Sequence, residues 1–221
     1  MAAEISRWKF DNDYLDANTT NANDLSAGGS GNSFGATIKQ VGTYSLKFNG
    51  SGYATRTATI NGVSAITGNQ DNSYGGWIYF QSGESSLMMW GTNAVSQGYE
   101  IRIISATSIR VSLQGEDKNI TVTSMATNTW HWVWVEYTAS TKTFELYLNN
   151  VSQNTAVLTA TPNIAFGKIN VGADFNDLSN PPNNTQYDDM RLWSGVTAAG
   201  DRTAIFNAGS ESILDLTSKI W

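Results

Sequence analysis

The chain has 221 residues and a formal net charge of -6, with 13 Lys and Arg against 19 Asp and Glu. No run of Lys or Arg forms a basic stripe, so nucleic acid and anionic membranes are not expected partners. There is no cysteine, which removes disulfides, thiol catalysis and thiolate metal sites, and the longest apolar runs are far too short for membrane insertion.

The opening MAAEISRWKFDND lacks the basic start and apolar run of a secretory signal. Either a leader was trimmed, or the protein reaches its place without one, as a phage structural protein released by lysis does. Strand signals then recur at short spacing: TYSLKFNG, YGGWIYFQ, SSLMMWG, YEIRIIS, SIRVSLQ and NITVTSM, followed by WVWVEYT, TFELYLN, GKINVG and DDMRLWS. Clusters of Gly, Asn, Ser and Asp between them supply turn chemistry. SIRVSLQ alternates, which sends Ile109, Val111 and Leu113 inward and Arg110, Ser112 and Gln114 outward. Only TAAGDRTAIFNAG reads as helix, with Gly209 placed to end it. There is no βαβ alternation, internal repeat, heptad or break in composition. The pattern predicts an all-β fold: one antiparallel two-sheet jelly-roll sandwich with one short C-terminal helix, a single domain over 1–221.

Residues 129–150, TWHWVWVEYTASTKTFELYLNN, are apolar on both faces. Trp130, Trp132 and Trp134 alternate with Val133, Val135 and Tyr137. Any register that keeps like faces together groups Val133, Val135 and Tyr137 with Phe144, Leu146 and Leu148, and that face is the predicted core. The other face carries Trp132, Trp134 and Glu136 beside Glu145, Tyr147 and Asn149. Flat indole rings next to acids and amides suit a glycan, so Trp132, Trp134, Tyr147, Asn149 and Glu136 are the candidate ligand-binding residues. A covering loop of the same chain, or a protein partner, would account for the face equally well.

The order of the segments resembles a known family. RWKFDNDYLDANTTNANDLSAG is similar to its W-F-D…D…N-D-L opening, and GTYSLKFNGSGY to its G-x-S-L-x-F-x-G strand. GGWIYF resembles its W-x-x-F strand, and NTWHWVWVEYTASTKTFELYLNN its W-x-x-V-x-V-x-Y…L-Y-x-N-G hairpin. YDDMRLWSGVTAAGDRTAIFNAG resembles its D-D-x-R-x-W strand and closing helix. These are the marks of laminin G-like domains among the concanavalin A-like lectin/glucanase jelly rolls. The resemblance runs from about Ile5 to Gly209, leaving 210–221 as a C-terminal extension with the apolar ILDLTSKIW. The family hairpin ends in Asn-Gly; here it is Asn149-Asn150, and Asn also tolerates left-handed backbone. The match of Trp130 to the family's lone tryptophan implies a packing role for it.

The resemblance implies the fold, and function has to come from a site. Family members include sugar-binding modules, adhesion domains, virion proteins and hydrolase or lyase catalytic domains. The catalytic members carry E-x-D-x-x-E or E-x-D-x-E on one strand, and no such spacing occurs here. The lyase motifs Q-[IV]-H and Y-x-K-x-G-x-Y are absent, and His131, the one histidine, reads as structural. Acidic residues cluster as Asp11, Asp13 and Asp16 and as Asp188 and Asp189. The resemblance implies one structural calcium between the opening segment and the D-D strand, on Asp16, Asp188 and Asp189. The alternative is that Asp11 to Asp16 cap turns. DFNDLSNPPNNTQYDD, around Pro181-Pro182, is a long polar loop that could shape a rim.

These readings converge on a non-catalytic recognition module, glycan-binding or adhesive, extracellular or on a virion surface. Its partners would be a glycan or a protein assembly of a virion or cell surface. The alternative is a virion structural protein, a capsid decoration or fibre component working through protein contacts. A polysaccharide-degrading enzyme would need clustered acids, or a Tyr, His, Arg and Gln cleft, on the concave sheet. Sheet edges and the tryptophan face leave a homo-oligomer open.

Overall fold

The alternating segments become strands in a computed structural model that describes residues 2–49, 51–177 and 185–210. In chain order these are β1 (Ala3–Trp8), β2 (Ser26–Gly28), β3 (Asn32–Gly35), β4 (Ser45–Phe48), β5 (Tyr53–Arg56), β6 (Asn72–Phe80), β7 (Ser85–Gly91) and β8 (Gly98–Ser105). There follow β9 (Ser108–Leu113), β10 (Glu116–Thr121), β11 (Thr129–Thr138), β12 (Thr143–Leu148), β13 (Val151–Val157), β14 (Lys168–Val171), β15 (Gln186–Ser194) and the helix α1 (Ala199–Ser210). The loop around Pro181-Pro182 and the segment 211–221 lie outside the described residues.

Two antiparallel sheets stack face to face. The eight-stranded sheet runs β13-β12-β11-β6-β15-β4-β3, with β1 beside the later part of β15. The seven-stranded sheet runs β10-β9-β8-β7-β14-β5-β2. Strands distant in sequence lie side by side, as β6 does between β11 and β15, which is the crossover pattern of a jelly roll.

Side-chain alternation sets the core between the sheets. Ile109, Val111 and Leu113 are buried in it, as their alternation predicts. The hairpin register pairs Val133 with Leu148, Val135 with Leu146 and Tyr137 with Phe144, and all six side chains belong to the same core. Aromatic edges tie the layers together: Tyr99 of the seven-stranded sheet lies 5.3 Å from Tyr137 and 5.4 Å from Phe144, centroid to centroid. The turn that ends β12 uses left-handed backbone at both Asn149 (φ 52) and Asn150 (φ 63), which asparagine adopts at low cost.

All ten segments expected from alternation contain a strand. Five further strands, β1, β2, β3, β5 and β13, were not among them. Four of these have six residues or fewer, and β13 (VSQNTAV) is a largely exposed edge strand with no apolar stripe.

This sidedness has a direct test. Leu146→Ala, which empties a fully buried position, should cost about 2–5 kcal/mol in urea unfolding. Val151→Ala, at a position 62% exposed on β13, should stay within about 0.5 kcal/mol of the parent.

Candidate functional site

The outer face of the eight-stranded sheet carries the predicted aromatic set, and the chain covers it itself. Trp132 and Trp134 stack with centroids 5.2 Å apart and planes 9° apart, and they are 1% and 0% exposed. Trp77, Val41, Tyr147 and Ile205 of α1 complete a second apolar cluster around them. Phe206 of α1 stacks on Trp77 at 5.4 Å and meets Trp132 edge-on at 5.6 Å.

Polar latches fix the helix in place. The Arg202 guanidinium sits 3.8 Å over the Tyr147 ring, and its Nη1 donates to Glu136 Oε1 at 3.0 Å. The Thr197 hydroxyl donates to the same Glu136 oxygen and accepts from Trp134 Nε1 at 3.2 Å. Glu136 and Glu145 face each other across the hairpin, and separate partners relieve the repulsion: Arg202 and Thr197 for Glu136, Ser152 for Glu145. Asn150 binds Arg202 and Thr203.

Of the alternatives the sequence left open for this face, cover by the same chain is the one observed, and Trp132 and Trp134 form no open platform. Both indoles, Tyr147 and Glu136 lie beneath or against α1, which stands where a ligand would have to lie. Asn149 is exposed but occupied: its Oδ1 accepts from Trp132 N at 2.9 Å, and its Nδ2 faces His131 Nδ1 at 3.3 Å. His131 is buried, its Nε2 lies 3.0 Å from the Ala126 carbonyl, and burial lowers its pKa. Its surroundings are those of a structural residue.

The expected calcium set does not assemble either. Asp16 accepts backbone N–H groups on both oxygens, from Arg7 and Asn18 at 2.8 Å each and from Asn23 at 3.0 Å. Asp189 is clamped by two guanidinium groups, Arg7 Nε at 2.6 Å and Arg191 Nη2 at 2.7 Å. Those two cations already supply the positive charge that a metal would bring. Asp188 Oδ2 accepts from Gln40 N and Val41 N at 2.9 and 2.8 Å, while its buried Oδ1 has no hydrogen-bond partner among the described residues. One unpartnered oxygen falls far short of the six to eight ligands that calcium takes. Among the described residues, no group of three or more His, Cys, Asp or Glu is arranged to hold a metal.

A bulge explains why both aspartates reach one face. The β15–β6 register shifts between Asp188 and Arg191, and Asp189 takes left-handed backbone at φ 46. The Glu4–Arg191–Asp189–Arg7 chain of ion pairs then locks β1 onto β15.

Sequence reasoning named no site on the other sheet, yet polar groups converge there. Arg110 and Gln114, predicted outward from the segment SIRVSLQ, line a cleft of about 180 Å³ with Glu100 and Arg102 of β8, Asp117 of β10 and Asp174. Arg102 and Arg110 are direct cross-strand neighbours. Arg102 binds Glu100 at 2.8 Å, Asp174 at 3.1 Å and Glu84 at 3.0 Å. Arg110 binds Asp117 at 3.1 Å and Asn119 at 3.0 Å. Burial raises the Glu100 carboxyl above its ordinary pKa, against the pull of Arg102. The signal was present in the outward half of SIRVSLQ, but its partners come from elements far apart in sequence.

The buried pair at Asp189 yields a stability prediction. Asp189→Ala leaves two guanidinium groups facing an empty site and should cost about 3–5 kcal/mol in chemical unfolding. Addition of a chelator should leave the parent's melting temperature unchanged.

Comparison with known proteins agrees with this architecture. The family model of the concanavalin A-like lectin/glucanases superfamily, laminin G type, matches residues 55–201. Among solved structures, domain 4 of AbnA, a GH43 extracellular arabinanase from Geobacillus stearothermophilus in complex with arabinotriose, superposes with a TM-score of 0.68 at 14% identity. That match covers 92% of this chain and 98% of that one. A botulinum neurotoxin type C structure, whose subject is cell entry dependent on two ganglioside molecules, gives 0.67 at 16% identity, covering 93% of this chain and 50% of that one. The binding domain of botulinum neurotoxin DC in complex with rat synaptotagmin II gives 0.67 at 17%, covering 93% and 51%. These identities speak to the fold alone, and the chain spans about half the length of the toxin structures. No curated protein matches. With its two jelly-roll sheets and a family match over residues 55–201, the chain belongs to the concanavalin A-like lectin/glucanases superfamily.

Proposed function

We propose that the protein is a non-catalytic glycan-binding module that takes its ligand in the cleft on the outer face of the seven-stranded sheet. The observation that carries this reading is the concentration of buried polar groups at an open cavity. Glu100 and Asp174, both buried, line it, and Arg102 and Arg110 stand between the carboxylates. Polar groups held this way cost free energy unless they are paired, and a cleft that gathers them around a carboxyl with a perturbed pKa is a preferred place for a site.

The chemistry suits a polyol. Sugar hydroxyls donate to carboxylates and accept from guanidinium groups, and this cleft offers both side by side. Its volume lies below the roughly 300 Å³ at which drug-sized sites begin, so it fits one sugar residue of a longer chain. Structural neighbours support the class: one is described with arabinotriose and another through its dependence on gangliosides. An exterior setting, on a cell or a virion, belongs to the same proposal. No helix of the described residues is long and apolar enough to cross a membrane.

Arg110→Ala and Glu100→Gln test this. Each should weaken glycan binding on an array or by calorimetry by about ten- to a hundredfold, the worth of one hydrogen bond to a charged group. Affinity should also fall as the pH drops and Glu100, whose pKa burial raises, takes up a proton. Failure of the parent to bind any glycan, or equal binding by both variants, would overturn the assignment.

A further inference from the structure

The alternating tryptophans are not all covered alike. Trp132 and Trp134 lie under α1, but Trp130, one step along the same face, is only half-buried. It meets its cross-strand neighbour Tyr79 edge to face, with centroids 5.5 Å apart at 64°. Together with Trp77, Gln40, Asn128 and Thr129 they line a groove of about 400 Å³. That volume lies within the roughly 300–1,000 Å³ of small-molecule sites.

We infer that this groove is a second binding site, and that its ligand is a neutral sugar ring. None of the described residues lining it carries a charge, so an ionic ligand would leave its hydration shell without finding a counter-ion. Indole and phenol rings instead match the C–H faces of a pyranose or furanose. The amides of Asn128 and Gln40 and the Thr129 hydroxyl bring hydrogen-bonding groups to the same walls.

The groove and the polar cleft lie on different sheets and differ in chemistry. The cleft recognises hydroxyls through charges, whereas the groove holds a ring by stacking. The groove inference therefore stands independently of the cleft. With both sites working, one module engages two glycan segments, and linked engagement raises avidity without any new contact.

The full chain is titrated with maltotriose, cellotriose and arabinotriose, followed by tryptophan emission and saturation-transfer NMR. At least one sugar should shift the emission. Trp130→Ala should weaken that sugar by about tenfold or more and Trp130→Phe by much less, because the ring face is kept. Asn128→Gly removes the rim amide while preserving the left-handed backbone at φ 57, and should also weaken binding. The signal should survive about 1 M salt, which screens a charge-based site but not a stacked one. No response to any of the three sugars overturns the inference. So does a response that Trp130→Ala and Asn128→Gly leave intact while near-ultraviolet circular dichroism shows both variants folded.

Discussion

Burial of both faces of β11 is the constraint on which the rest of this structure depends. Val133, Val135 and Tyr137 fill the sandwich core on one side, and the stacked pair Trp132 and Trp134 lies on the other. A sheet that packs one face inward normally leaves the other to water. Here the outward face would expose two indoles, each worth about 1.5–3 kcal/mol or more when buried. The helix that removes them from water is itself weak. α1 has 12 residues, includes Gly200, and buries chiefly Ile205, with Phe206 partly buried. A helix that short is marginal on its own in water. Helix and tryptophan face therefore stabilise each other, and the Arg202–Glu136 pair, largely buried, fixes their register more than it adds net stability.

That closure decides which surfaces stay open. With the centre of the outer face sealed, the accessible surface is pushed to its margin at Trp130 and to the opposite sheet. The polar cleft sits on outward positions of β8, β9 and β10, strands whose inward residues anchor the core. A site built on rigid paired strands keeps its side chains in place without help from a ligand, which lowers the ordering cost of binding. The Asp189 ion-pair chain does comparable work at the start of the chain, joining β1 to β15 where the bulge breaks the regular ladder.

Much of this was legible in the residues. The hairpin register followed from matching apolar faces, since a one-residue slip would send every side chain to the wrong side. The inward and outward halves of SIRVSLQ were equally readable, as was the turn at Asn149-Asn150. The helix was legible as a helix, but its docking was not. Its anchors are two apolar side chains and one arginine, and their partners lie some 60 to 130 residues earlier. The partners of the aspartates were hidden for a related reason. A sequence displays carboxylates, but the guanidinium groups of Arg7 and Arg191 meet Asp189 only through the β1–β15 register. The cleft was missed because its carboxylates and arginines are scattered from Glu100 to Asp174 and converge only when four elements are in place.

The central claim is that α1 seals Trp132 and Trp134 while leaving Trp130 within reach of solvent. Oxidation of the folded protein by N-bromosuccinimide, read residue by residue by mass spectrometry, tests it most directly. The account predicts that Trp130 is modified well before Trp132 and Trp134, and that this order collapses on unfolding. Oxidation of Trp132 or Trp134 as fast as Trp130 in the native state would contradict it.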